Sequence, residues 1–231
     1  QELIDHDFLC MQFDFARWVC PAAGPAAAEI AVDALACIVP SDSGLAEAQQ
    51  ERDDLQALAA SVGLKAHVPA PADLQAVEEL LRDSKPIQLW HFACHGDFAP
   101  AAPGKSPLHL EHGSRLTPDD LVGPAQTHLK RDRPLVFLNA CRVGSGGLSL
   151  TGLGGWANVL VGDCGVGAVI APLWSVNDAL ASEFARVFYD QLRTQPGCTI
   201  GRAVRQARRH VRDAASHDPT WLAYSLYAHP N

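Results

Sequence analysis

The order of apolar segments along this 231-residue chain predicts an α/β fold, with a mainly parallel sheet and helices on both of its faces. Short apolar runs of strand length alternate with longer amphipathic stretches, which is the pattern of βαβ units. Two runs, at 87–94 and 135–140, are apolar almost throughout, as strands buried on both faces of a parallel sheet are. With 48% apolar residues, the chain can form one sizeable core.

Turn and capping residues bound the elements in the first part of the chain. Ser41–Gly44 predicts a turn, Gly63 ends a helix, and Asp73 caps the next one. The predicted elements are a strand at 8–15, a Pro/Ala linker at 21–28, a strand at 34–39, a helix at 45–61, a strand at 64–68 and a helix from 73 to 81.

The second part continues the alternation from the strand at 87–94. Thr117 followed by Pro118 predicts a helix start, because threonine caps helices and proline suits their first turn. The remaining elements are a Pro/Gly/Ala loop at 97–105, half of a hairpin at 108–113, a strand at 135–140, a glycine-rich loop at 144–155, a helix at 156–161, a strand at 166–173 and amphipathic helices at 178–192 and 200–211.

Composition restricts the classes of partner and compartment. The net charge of −8 argues against nucleic acid as a direct partner. No apolar run approaches 18 residues and no basic leader precedes one, so we expect neither a membrane span nor a signal peptide. Seven cysteines, several inside apolar runs, indicate free thiols in a reducing cytoplasm. Because the chain starts at Gln1, we expect 1–30 to be a strand and linker from an upstream region and 31–231 to be the domain.

His95 and Cys141 are the candidate catalytic residues, because each lies where a predicted buried strand ends. The carboxyl ends of neighbouring parallel strands meet at one edge of the sheet, where catalytic groups collect. An imidazole beside a thiol there is the minimum machinery for nucleophilic catalysis. The backbone amides of Gly96 and Cys141 can then form an oxyanion hole. His91, four residues earlier on the same strand face, competes for the role of base.

Two other chemistries fit these residues less well. His91, Cys94 and His95 are ligand types that zinc prefers, but no fourth ligand is evident and a strand directs Cys94 to the opposite face. The glycines at 144–155 lack the Gly-Lys-Ser/Thr ending of a phosphate-binding loop. We therefore expect no metal and no organic cofactor.

Four motifs in order resemble the CHAT family, the caspase-like peptidases often fused to TPR repeats. They are His-Phe-Ala-Cys-His-Gly at 91–96, Asn-Ala-Cys at 139–141, Leu-Trp-Ser-Val-Asn-Asp at 173–178 and Asp-Pro-Thr-Trp-Leu-Ala-Tyr-Ser-Leu at 218–226. His95 lies 46 residues before Cys141, close to the separation of about 50 in caspases. The resemblance implies a caspase-like three-layer sandwich and a cysteine endopeptidase, with Cys141 as nucleophile and His95, not His91, as base.

The same resemblance suggests residues of the substrate pocket. Asn139 corresponds to a pocket-lining glutamine of caspases, and the segment at 173–178 is similar to one in separases where an acidic residue recognises a basic P1 side chain. Asp178 and Asp97 are therefore candidates for substrate binding. Asp178 is equally suited to capping the helix that follows it.

The resemblance also implies how such a domain is used. Family members are commonly controlled by a fused or bound sensor, in bacterial defence or regulated cell death, so we expect a protein substrate, an upstream regulatory partner and no membrane contact. A catalytically inactive scaffold and a small-molecule hydrolase or acyltransferase are the alternatives. Five arginines near the C-terminus fall roughly on one helical face, which we interpret as solvent-exposed or, less readily, as a docking surface for an acidic partner. They are Arg202, Arg205, Arg208, Arg209 and Arg212.

Overall fold

A six-stranded sheet forms the centre of the molecule. The structure, a computed structural model, describes residues 8–17, 29–99, 101–141 and 154–228, with the backbone alone at Cys141. The strands are β1 (Ala34–Ile38), β2 (Lys65–His67), β3 (Leu89–His95), β4 (Leu108–His109), β5 (Arg115–Leu116), β6 (Leu135–Cys141), β7 (Ala168–Pro172) and β8 (Tyr224–Ala228). In the main sheet their order is β2-β1-β3-β6-β7-β8, and every neighbouring pair is parallel except β7 with β8.

Helices connect the parallel strands, as the predicted alternation requires. They are α1 (Leu9–Gln12), α2 (Ala46–Val62), α3 (Leu74–Arg82), α4 (Pro124–Asp132), α5 (Gly154–Ala157), α6 (Asp178–Thr194), α7 (Ile200–Ala214) and α8 (Thr220–Ala223). A π-helical turn at Asn158–Asp163 continues α5. None of the helices in these described ranges is long and apolar enough to cross a membrane.

The helices cover the sheet on both faces and enclose two apolar cores. On one face α2, α6 and α7 pack on β1, β3, β6 and β7, with Phe137 and Phe184 at the centre of that core. On the other face α3, α4 and α5 pack through residues such as Leu129 and Trp156. Burying each such large apolar side chain contributes roughly 1.5–3 kcal/mol. The predicted α/β sandwich with a mostly parallel sheet is therefore confirmed.

Local signals set most of the element boundaries as expected. Gly63 ends α2 with φ of 76°, a left-handed conformation that glycine adopts without strain. Asp73 caps α3 by accepting a hydrogen bond from the amide of Ala76 at 2.9 Å. The segment at 108–113 contributes β4, whose antiparallel partner is β5, so the predicted half-hairpin is confirmed.

One predicted helix start and one predicted helix cap are displaced. Thr117 does form a capping box, but it opens only a 3₁₀ turn at Pro118–Asp120, and α4 starts at Pro124. At the start of α6 the capping side chain belongs to Asn177, which accepts from the amide of Leu180 at 3.2 Å. Asp178 is the first helical residue, so its predicted role as N-cap is wrong by one position.

The predicted strand at 8–15 is wrong, because residues Leu9–Gln12 form the short helix α1. In this helical turn the last carbonyl groups lie on one side, where they accept hydrogen bonds from three arginines of α7. Arg208 donates to the carbonyl of Cys10 at 3.0 Å, and Arg205 and Arg209 donate to those of Gln12 and Met11 at 2.6 Å. The cations thus satisfy backbone acceptors at the negative end of the turn, which a strand would not present together.

These contacts also change the interpretation of the arginine row. Arg205, Arg208 and Arg209 hold a segment of this same chain, and Arg208 is only 3% exposed. Beyond α1, Arg17 pairs with Tyr227 and so extends the sheet beside β8. The predicted linker at 21–28 and the glycine-rich residues 144–153 lie outside the described residues, and the domain boundary near residue 30 stays a prediction.

Arg208 provides a test of how firmly this segment is held. Its guanidinium donates to the carbonyls of both Cys10 and Tyr224, the latter at 2.7 Å. Arg208→Ala leaves these acceptors without that donor, and we expect it to lower the free energy of unfolding by about 2–4 kcal/mol in urea denaturation. The exposed Arg202 on the same helix is the matched control, and Arg202→Ala should change it by less than about 0.5 kcal/mol. Equal effects of the two substitutions would contradict this account.

Candidate active site

The parallel pairing of β3 with β6 brings the two candidate catalytic positions together. The ladder runs from Leu89 opposite Leu135 to His95 opposite Cys141, so both strands end at the same height. Neighbouring strands lie about 4.8 Å apart, and residues directly paired in them present their side chains to the same face. The register thus makes His95 and Cys141 direct neighbours at the carboxyl edge of the sheet.

The imidazole of His95 is held in one orientation. Its Nε2 lies 3.0 Å from the carbonyl oxygen of Ser43, so Nε2 carries the proton and donates it to this acceptor. In this tautomer Nδ1 has a lone pair, and within the described part of the chain no hydrogen-bond partner meets that atom. In this tautomer Nδ1 is the ring nitrogen that can accept a proton.

The turn that supplies the Ser43 carbonyl is itself anchored. It lies between β1 and α2, and the hydroxyl of Ser41 donates to Glu111 Oε1. Glu111 Oε2 accepts from the amide of Ala72 at 2.7 Å. These hydrogen bonds, that of Ser41 foremost, lower the pKa of Glu111 below its usual range, so the carboxylate stays charged at neutral pH. The His95 tether is thus fixed by the region around the β4–β5 hairpin.

The close approach of neighbouring segments favours glycine at position 96. A Cβ there would lie 3.2 Å from the Cβ of Ala140 and 3.4 Å from the Leu108 side chain. Gly96 also forms an antiparallel bridge with Leu108, which joins the end of β3 to the hairpin. The backbone at Gly96 is thereby fixed next to the end of β6.

The two carboxylates expected in the substrate pocket lie on different elements. Asp97 Oδ2 is 2.7 Å from Nε2 of His109 on β4, and half of the Asp97 side chain is exposed. Its loop is tied back by the Asp97 amide, which donates to the carbonyl of Pro107 at 3.0 Å. Asp178 is half-buried at the start of α6, beyond the end of β7, the neighbour of β6. Substrate binding by either residue stays a prediction.

Asn139 lies in the interior rather than on an open surface, with 6% exposure. Its Nδ2 donates to both carboxylate oxygens of Glu51, at 3.0 and 2.9 Å, and its Oδ1 accepts from the hydroxyl of Tyr224 at 2.6 Å. Glu51 Oε1 also lies 2.6 Å from Nε2 of His91, at ion-pair distance but outside hydrogen-bond alignment. Nδ1 of His91 is 2.9 Å from the hydroxyl of Tyr189. We call Glu51, His91, Asn139, Tyr189 and Tyr224 the buried polar cluster.

His91 therefore has the structural surroundings expected for a histidine beneath the site. It is fully buried, between Tyr189 and Glu51, and its ring contacts Phe137. Cys94 belongs to the apolar core on the other face of the sheet, so the strand separates it from His91 and His95. The three residues do not converge on one point where they could hold a metal ion.

Two other cysteines are poorly suited to act as nucleophiles. Burial raises the pKa of Cys164 to about 12. Burial raises that of Cys37 as well, and the nearby charge of Glu51 raises it further. A thiolate is the reactive form, so both thiols are unreactive at neutral pH.

Sequence reasoning missed three contributors to this site. The Ser43 carbonyl is a backbone atom, which no residue pattern can signal. Glu51 leaves a readable signal, because it lies in the buried stripe of α2 with Ala48 and Leu55, where an apolar residue is expected. The Tyr224 hydroxyl reaches Asn139 only through the folding of β8 against the sheet.

A chain with this sheet order, with a histidine and a cysteine paired at the carboxyl edge, has the fold of the caspase-like cysteine peptidases. The family model of the CHAT domain matches residues 21–230, so the chain belongs to the CHAT family. This confirms the resemblance seen in the four motifs.

Solved structures share this fold. The separase of the Saccharomyces cerevisiae separase–securin complex at 3.0 Å resolution is similar with a TM-score of 0.52 and 13% identity, over 86% of this chain and 12% of that one. The Arg-specific cysteine proteinase gingipain R is similar with a TM-score of 0.56 and 14% identity, over 86% of this chain and 46% of that one. The chain thus spans less than half the length of either structure. No curated protein matches it.

Proposed function

We propose that this domain is a cysteine endopeptidase in which Cys141 is the nucleophile and His95 the general base. The observation that carries the proposal is the pairing of the two positions at the ends of β3 and β6, with His95 held through Nε2 by the Ser43 carbonyl. This tether leaves Nδ1 as the atom that takes a proton. An imidazole oriented by a third group beside a thiol is the general arrangement of an activated nucleophile.

The reaction follows from this arrangement in balanced steps. The Cys141 thiol loses its proton to Nδ1 of His95, and the sulfur attacks the scissile carbonyl carbon. The amides of Gly96 and Cys141 donate hydrogen bonds to the oxyanion that forms. His95 then gives its proton to the leaving amine as the C–N bond breaks, which leaves a thioester on Cys141. Water attacks the thioester carbonyl and loses a proton to His95, and His95 returns this proton to the Cys141 sulfur as the C–S bond breaks and the acid is released. The tether to Ser43 stabilises the imidazolium, because the Nε2 proton keeps its acceptor throughout.

Substitution of the dyad tests this function. Cys141→Ala and His95→Ala should each abolish peptide cleavage, by roughly 10³-fold or more in kcat/KM, while circular dichroism stays that of the folded protein. Cys198→Ala and His217→Ala are matched controls away from the sheet ends and should keep activity. A wild-type protein that cleaves no peptide, or a Cys141→Ala variant that still cleaves, would contradict the proposal. The first outcome would favour the scaffold alternative.

Asp97 and Asp178 support a preference for a basic P1 residue. Both follow strands that end at the carboxyl edge where His95 and Cys141 lie, and gingipain R, whose fold is similar, is an Arg-specific proteinase. A buried carboxylate that faces an uncharged P1 side chain costs several kcal/mol, and this argument applies more to Asp178 than to Asp97, which already pairs with His109 at 2.7 Å. The acidic residue would thus select lysine or arginine.

A peptide library tests this preference. We expect cleavage after Lys or Arg, and we expect Asp178→Asn or Asp97→Asn to lower kcat/KM for these substrates by at least about tenfold, with little effect on the alkylation of Cys141. Glu29, an exposed acidic residue on a loop, provides the control Glu29→Gln. Cleavage after Asp or after aliphatic residues would contradict the assignment.

We also propose that an upstream sensor, either fused or bound, controls this peptidase. The peptidase would then act in the cytoplasm, in bacterial defence or regulated cell death. The docking of residues 8–17 supports upstream control, because the guanidinium of Arg208 joins α1 to the carbonyl of Tyr224. The hydroxyl of Tyr224 in turn donates to Asn139, two residues before Cys141. A displacement of α1 would thus be transmitted through Arg208 to Tyr224, which contacts Asn139 on the strand that ends at Cys141.

Comparison of this domain with the natural chain, including any sequence that precedes Gln1, tests the control. The isolated domain should be weakly active on a peptide substrate, and the natural chain with its partner should be several-fold more active, because the partner raises the competent fraction. Full activity of the isolated domain, unchanged by upstream sequence or partner, would leave a constitutive protease.

A further inference from the structure

A buried carboxylate lies beneath the ends of β3 and β6. Glu51 is only 4% exposed, yet it lies in the middle of the buried face of α2. Burying a carboxylate costs free energy that only close hydrogen bonds and opposite charges offset, and well-packed apolar residues at such positions are often no less stable. Stability alone therefore does not explain why a carboxylate occupies this position.

The two partners of Glu51 belong to the two strands that carry the proposed dyad. His91 lies four residues before His95 on β3, and Asn139 lies two residues before Cys141 on β6. In a strand, residues separated by two or four share a face, so Glu51 bridges the strands on the face to which His95 belongs. Its contacts lie below the last residue pair of the ladder: Asn139, at 2.9 and 3.0 Å, is two pairs before it, and His91, at 2.6 Å, is four pairs before it.

The same helix also starts at the turn that tethers His95. The Ser43 carbonyl precedes α2 by only a few residues, and Glu51 lies in the second turn of that helix. The turn thus contacts the imidazole of His95, and the helix that follows it contacts His91 on β3 and Asn139 on β6.

Two tyrosine hydroxyls complete the cluster and fix its orientation. The Tyr224 hydroxyl donates to Asn139 Oδ1, so both the nitrogen and the oxygen of that amide are engaged and it cannot flip without loss. The Tyr189 hydroxyl contacts Nδ1 of His91 at 2.9 Å, and burial raises the pKa of Tyr189 well above its ordinary value, so it remains protonated. The buried polar cluster thus has few alternative hydrogen-bond arrangements.

From this geometry we propose that Glu51 is a positioning residue, which sets the relative position of His95 and Cys141 by bridging His91 on β3 and Asn139 on β6. This inference rests on the proposed function of the dyad. A nucleophile and a base act efficiently only when their separation is correct, and a displacement of about 1 Å can cost roughly 100-fold in rate. Glu51 acts through the strands and contacts neither the substrate nor the reacting atoms.

Glu51→Asp is the most direct variant, because it keeps the charge but withdraws the carboxylate by one methylene group. We expect kcat per folded enzyme to fall by roughly 10–100-fold, with KM changed less than about twofold. Glu51→Gln keeps the reach and one oxygen that can accept from Asn139, so it should recover most of the activity. The control is Glu47→Asp on the exposed side of the same helix, which should match the wild type.

A second measurement does not depend on peptide cleavage. The rate of Cys141 alkylation by iodoacetamide reports how well the imidazole supports the thiolate, so it should fall in Glu51→Asp and return in Glu51→Gln. If the wild type cleaves no peptide, the proposed function fails, and this alkylation rate alone decides whether Glu51 positions the pair. Alkylation at the wild-type rate in Glu51→Asp, or a loss of kcat that disappears after correction for unfolded protein, would overturn the inference.

Tyr224→Phe covers the case in which Glu51→Asp does not fold. It removes one hydrogen bond to Asn139 and keeps the ring that stacks on Phe184 at a centroid distance of 3.9 Å. We expect a smaller loss of kcat, roughly 3–10-fold, with the same fall in the alkylation rate. An unchanged kcat and alkylation rate in a folded Tyr224→Phe protein would overturn the inference.

Discussion

The parallel ladder between β3 and β6 is the constraint on which the rest of this site depends. Seven consecutive residue pairs fix the register, and the last pair is His95 with Cys141. Because both faces of the two strands are buried, a slip by one residue would carry the polar side chain of Asn139 into the opposite apolar core and separate His95 from Cys141. The fold and the site are thus set by the same set of hydrogen bonds.

Buried polar groups fix more closely the positions of the strands whose register the β3–β6 ladder determines. A hydrogen-bond path runs from the carbonyl of Cys10 through Arg208 and Tyr224 to Asn139, and continues to Glu51. Burial lowers the pKa of the Arg208 guanidinium, a sign of the cost of holding a cation there. Burying such polar groups costs free energy, but once buried each group can form its hydrogen bonds in only a few geometries. The path also joins the N-terminal segment to the strand that ends at Cys141.

Much of the fold and part of the site could be predicted from the sequence. Mostly apolar runs indicate β3 and β6, and Gly63 and Asp73 indicate helix boundaries, because these signals are local. The strand predicted at 8–15 is wrong, since the helical turn Leu9–Gln12 is stabilised by arginines almost 200 residues away in the chain.

Some residues of the candidate site could be predicted from the sequence and others could not. His95, Gly96 and Cys141 could be identified because each lies at the end of a recognisable strand. The tether from the Ser43 carbonyl and the bridge from Glu51 could not, because both depend on how α2 lies across the sheet. Asn139 was assigned to substrate from a family pattern, whereas its buried contacts with Glu51 and Tyr224 favour a role in holding β6.

A crystal structure of the domain with a peptidyl aldehyde would test the central claim most directly. The account predicts a hemithioacetal on Cys141, with its oxygen within hydrogen-bond distance of the amides of Gly96 and Cys141, and with Nε2 of His95 still bound to the Ser43 carbonyl. An adduct on another cysteine, or an imidazole turned away from Ser43 with Nδ1 remote from the sulfur, would contradict it.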